Sequence, residues 1–162
     1  MTRLMNTPPH NLILPPDEQK ILEKLLAQLR LVVRYDSAAI FLREGNCLVL
    51  VAGTDLVKPQ IGSRLSLTSN SPSVKTFERK EVTIIADIQA NPRWQWVWEG
   101  FEYVRGWMCV PLLRDDEAIG ILTINSFCVD AYCQTQVKLV QTFADRVVTT
   151  IVLPDLAEIE HC

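Results

Sequence analysis

The side chains able to do chemistry are few and unevenly placed in this 162-residue sequence. Its 2 histidines, His10 and His161, lie one near each end, and the body between them has none. A Ser-His-Asp or Cys-His pair, a histidine-held haem and most zinc sites therefore lack an essential part. The 5 cysteines, Cys47, Cys109, Cys128, Cys133 and Cys162, are odd in number and form no C-x-x-C pair, which reads as reduced intracellular thiols. The 6 glycines build neither G-x-G-x-x-G nor G-x-x-x-x-G-K-[ST], so no standard nucleotide cradle is present. The concentrated feature is aromatic: all 4 tryptophans fall between Trp94 and Trp107.

Trp94, Trp96 and Trp98 alternate with Gln95 and Val97. In an extended segment they share one side, and indoles make flat apolar walls with a polar handle, as a small-molecule pocket needs. Capping the core or making a dimer surface would use them equally well. Asp87 stands where the preceding strand run ends; it accepts ligand N–H groups or caps loop backbone. Arg93 offers a cation to an anionic ligand, or an ion pair to Asp87 or Glu99. Tyr103 closes the segment. In AIGILTINSF, strand alternation puts Gly120, Leu122 and Ile124 on one side and Ile121, Thr123 and Asn125 on the other. A polar pair facing inward needs partners, because an unpaired buried polar group costs about 1–3 kcal/mol. By the same alternation Trp107 and Cys109 share the pocket side. Cys109 has only Arg105 and Arg114 as nearby cations, and reads first as a small buried thiol.

These residues need a frame. Hydrophobic residues are 48% and charged residues 22% of the chain, an ordinary globular composition, and the net charge of −3 gives no reason to expect nucleic-acid binding. The longest apolar stretch, Trp107 to Leu113, is far short of the ~20 residues of a membrane span. Residues 1–16 read as a flexible arm, 17–153 as one domain and 154–162 as a tail. Asp17 is placed to cap a helix whose apolar residues, Ile21 to Val33, recur at three- and four-residue steps as far as about Tyr35. A second stripe on it, Leu22, Leu26, Leu29 and Val33, is available to a second copy. SAAIFLR and NCLVLVA flank Glu44-Gly45-Asn46, a hairpin signal. Ser71-Pro72 opens a short helix. VTIIADI is a strand, QANPRWQWVWEGFEY a long irregular segment, and GWMCVPLL and AIGILTINSF two more strands. A last helix runs from about Thr135 to Leu153. The order predicts an α+β fold: a central antiparallel sheet of five or six strands, with the terminal helices packed on one face.

The text WMCVPLLRDDEAIGILTINSF followed by VKLVQTFADRVVTTI resembles the last two strands and final helix of GAF domains, and ADIQANPRW resembles their strand end and loop opening. The resemblance covers about Glu18 to Leu153. It implies a cytoplasmic sensory module of the kind found with bacterial sensor histidine kinases and related to cyanobacteriochromes, with a GAF/PAS-like sheet and a ligand pocket on the face away from the helices. The bilin-anchoring neighbourhood of such domains reads Arg93-Trp94-Gln95-Trp96 here, without thiol or imidazole, so no covalent cofactor is expected. The acidic pair of cyclic-nucleotide binders is replaced by Gln134-Thr135-Gln136. The clustered cysteines of free methionine-sulfoxide reductases are missing from the tryptophan segment. The expectation is a non-catalytic sensor of an unidentified small molecule, homodimeric through its terminal helices, with Asp87, Arg93, Trp94, Trp96, Trp98, Tyr103, Trp107, Cys109, Thr123 and Asn125 as the ligand-binding set. The alternatives are a degenerate domain that only dimerises or docks a partner, and a thiol-based reductase.

Overall fold

The computed structural model describes residues 12–91 and 101–151. Helix α1 spans Pro16–Val32. Its N-cap is Pro15, two residues before the expected Asp17, because Pro16 at the first helical position has its φ already set and no N–H to satisfy. Asp17 and Glu18 occupy the first turn, where their charge suits the helix dipole. Val33 is already extended, so the helix ends short of Tyr35, whose hydroxyl donates to the Leu26 carbonyl at 2.6 Å.

Six strands follow: β1 (Ser37–Glu44), β2 (Cys47–Gly53), β3 (Arg64–Ser66), β4 (Thr83–Ile85), β5 (Gly106–Arg114) and β6 (Glu117–Ser126). They make one antiparallel sheet in the order β3-β2-β1-β6-β5-β4. Gly45 turns the β1–β2 hairpin at φ 60, and Asp115 and Asp116, at φ 52 and 67, turn β5 into β6. Helix α2 (Pro72–Arg79) has the expected cap, Ser71 Oγ accepting from the Val74 N–H at 3.3 Å. Helix α3 spans Gln134–Thr150.

Side-chain alternation divides the interior into two clusters. On one face Ala38, Ile40 and Leu42 of β1, Met108, Val110 and Leu112 of β5, and Leu122 and Ile124 of β6 meet α1 and α3. Both terminal helices therefore cover the same face. The stripe expected to be available to a second copy is spent here: Leu22, Leu26, Leu29 and Val33 are at most 2% exposed within the chain's own core. Only a stripe this close to the sheet can fill the gap between helix and strands. On the opposite face Ala39, Phe41, Leu48, Leu50, Trp107, Cys109 and Ile121 are overlaid by Val74 and Phe77 of α2 and by Ile88, Phe101 and Val104.

Gly120 of β6 pairs with Leu42 of β1 and Leu112 of β5. A Cβ there would overlap the Phe41 carbonyl oxygen and press on Leu42. A backbone oxygen in the middle of a ladder cannot move aside. Gly120→Ala is expected to destabilise the fold by about 3 kcal/mol, the upper end for overpacking, read as a lowered urea midpoint at unchanged m-value.

Candidate functional site

The face away from the terminal helices carries two transverse rows set by strand register. In one row Ile85, Trp107, Asn125 and Ser37 are direct cross-strand partners; in the next, Thr83, Cys109, Thr123, Ala39 and Gly53 are. The alternation read along β5 and β6 is thus realised: Trp107, Cys109, Thr123 and Asn125 share one face, and all four are buried. The ends of the intervening segment, a short 3-10 turn at Ile88–Ala90 and another at Phe101–Tyr103, pack Ile88 and Phe101 onto that same face. Arg93, Trp94, Trp96 and Trp98 lie outside the described residues.

Buried polar groups mark this face. Asn125, 4% exposed, donates through Nδ2 to Ser37 Oγ at 2.9 Å, while its Oδ1 meets no hydrogen-bond donor. Thr123, 5% exposed, makes no side-chain hydrogen bond to any of the described residues. Nearer α2, the Thr76 hydroxyl donates to the Pro72 carbonyl at 3.0 Å and lies 2.7 Å from Thr83 Oγ1. Thr76 also touches the Cys109 thiol, which burial pushes up to about 12 against the smaller opposing pull of that contact. Cys109 is therefore held as a neutral thiol, with Thr83 and Thr123 opposite it and no cysteine.

Two of the expected lining residues stand apart from the rows. Asp87 caps the turn at Ile88–Ala90, its Oδ1 accepting from the Gln89 N–H at 3.0 Å. Its carboxylate is also gripped by Arg105, Nε to Oδ1 at 2.8 Å and Nη2 to Oδ2 at 2.7 Å, and this fork holds the Asp87 pKa below the usual aspartate range. The loop-capping alternative describes its observed contacts. Tyr103 is 66% exposed, with its ring edge-on to Phe127, so the structure places it at the surface rather than on the buried face. Ser37 and Arg105 are the residues missed. Ser37 heads the run SAAIFLR in phase with Ala39 and Phe41, yet only the β1–β6 pairing brings it to Asn125.

A concavity of about 350 Å³ lies beside α1 and the turn after β2. Its charges are already answered: Lys58 bridges Glu23 at 3.4 Å and Asp55 at 3.2 Å, and Arg30 covers the Tyr35 ring. No cluster of three or more potential metal ligands occurs among the described residues.

A family model described as GAF domain matches residues 17–151. Among solved structures, the GAF domain of a two-component sensor histidine kinase from Bacillus halodurans aligns with a TM-score of 0.71 at 13% identity, covering 91% of this chain and 99% of that one. The GAF domain of a phosphoenolpyruvate-protein phosphotransferase from Coxiella burnetii gives 0.67 at 22% identity, over 82% and 91% of the two chains. A type II free methionine-R-sulfoxide reductase from Thermoplasma acidophilum gives 0.69 at 16% identity, over 83% and 92%. No curated protein matches.

The thiols should divide by environment. Cys133 is exposed, and the Thr135 hydroxyl beside it lowers its pKa, whereas Cys109 is buried with its pKa raised. Under iodoacetamide at pH 8, mass spectrometry should find Cys133 alkylated well before Cys109, with Cys109 labelled only after denaturant is added. Equal rates at the two would contradict the burial of the face.

Proposed function

Because the chain belongs to the GAF domain family, we propose that it is a regulatory sensor module that binds a small molecule over the Trp107–Asn125–Ser37 row and performs no catalysis itself. The observation that carries this reading is a polar group on an otherwise apolar face: Asn125 is buried and its Oδ1 meets no hydrogen-bond donor. A protein interior leaves such groups unmatched at a cost of about 1–3 kcal/mol each, and a bound molecule supplies the partner. Neighbours of the same fold that are parts of a histidine kinase and a phosphotransferase support a regulatory role. In this reading the output comes from another domain, such as a kinase or cyclase, and the module works in the cytoplasm. No helix among the described residues is long and apolar enough to cross a membrane.

The route from ligand to output is short. Strand β5 begins at the polar row and ends at Arg114, whose Nη2 donates to the carbonyls of Val148 at 3.2 Å and Ile151 at 3.0 Å, at the C-terminal end of α3. A ligand that closes the segment from Asp87 to Tyr103 and prefers one setting of β5 shifts the helix end with it, to the extent of its differential affinity for the two settings. The reductase alternative finds little chemistry in a Cys109 thiol held neutral between threonines. The homodimer has its own observation. Ile21, Val32 and Leu139 are 45%, 54% and 40% exposed on α1 and α3, and Ile21 and Val32 lie about three turns apart on one line of α1.

Native mass spectrometry of protein purified from its own host should reveal a retained, dissociable small molecule and no covalent adduct. That molecule should perturb tryptophan emission, and Asn125→Ala should weaken the response by about 0.5–1.5 kcal/mol, one hydrogen bond. Unperturbed emission on binding would place the ligand elsewhere. Separately, sedimentation velocity should show a dimer that Val32→Asp converts to monomer without loss of helical circular dichroism; an unchanged dimer would move the interface away from α1.

A further inference from the structure

Resting on the sensing reading above, the chemical class of the ligand can be drawn from the same face. The amide of Asn125 is oriented by its Nδ2 bond to Ser37, so the group left without a partner is an acceptor, Oδ1. A molecule that satisfies it presents an N–H or O–H. The rest of the described lining is electrically neutral: Ser37, Ala39, Trp107, Cys109 as a thiol, and Thr123. The charged pair flanking it, Asp87 and Arg105, closes on itself through two hydrogen bonds and has no charge to spare. A buried ion facing such a lining would lose its water shell without gaining a counter-ion. We infer that the ligand is an uncharged, largely apolar molecule whose hydrogen-bond donor is delivered to Asn125 Oδ1.

Three small aromatic probes of nearly the same shape separate the terms. Phenol carries an O–H donor, anisole replaces it with a methoxy group that cannot donate, and benzoate carries a full negative charge. Each is titrated into the full, 15N-labelled chain, and binding is read from the Asn125 side-chain amide and the backbone amides of Ser37, Trp107 and Thr123. Phenol should bind about tenfold more tightly than anisole. Benzoate should be weaker than phenol by at least about a hundredfold. Asn125→Ala should bring phenol down to the affinity of anisole and leave anisole unchanged. The wild-type comparison decides the matter alone if that variant does not fold.

Benzoate binding as well as phenol overturns the inference, because a countercharge then reaches the face. Equal binding of phenol and anisole also overturns it, because an ordered water then satisfies Oδ1. In both cases the sensing reading survives. No response at these residues to any of the three probes removes the sensing reading together with the inference.

Discussion

Burial on both sides of the sheet is the constraint from which the rest follows. Eight of the ten residues of β6 and six of the eight of β1 are buried, whichever way they point. Such strands have no solvent side on which to place an awkward residue. Slipping the pairing by one position would send Leu122 and Ile124 toward Trp107 and carry Thr123 and Asn125 under the helices. Register is therefore tightly held. The polar residues of β6 are kept inside on the only face where neighbours such as Ser37 can meet part of their hydrogen-bonding need.

That same property explains what could be read without coordinates. Uninterrupted apolar runs separated by turn residues announced β1, β2, β5 and β6, and alternation sorted β5 and β6 into two faces. Strand β3 was hidden because Arg64–Ser66 is short and mostly exposed; only its ladder with Cys47–Val49 makes it a strand. The leucine stripe of α1 was misassigned because periodicity shows that a face is apolar, not whose surface it meets. Asp87 could be placed at a loop mouth, but its tie to Arg105 spans 18 positions, and that of Asn125 to Ser37 spans 88. Partners that arrive from another strand leave no local trace.

The cysteines show how far environment outweighs residue type. Cys109 sits between threonines inside the sheet and behaves as a small neutral filler, while Cys133 opens a helix in solvent with hydrogen-bond donors around its sulfur. The same fold occurs in a free methionine-R-sulfoxide reductase, so the fold alone does not set what the side chains on its sheet do.

The ladder joining β1 to β6 has a consequence for how the protein is made. Its partners, from Ser37–Asn125 to Leu42–Gly120, are separated by most of the domain, so the centre of the sheet is closed by its least local contacts. Folds dominated by such pairings fold slowly, because a long loop must be closed before any contact repays its entropy. On the ribosome, α1 and the β1–β2 hairpin emerge early, with the leucines of α1 uncovered and one edge of β1 open. They stay so until β6 and then α3 have been synthesised. During that interval the nascent chain presents an unpaired strand and a greasy helix to its surroundings, the kind of intermediate on which chaperones act.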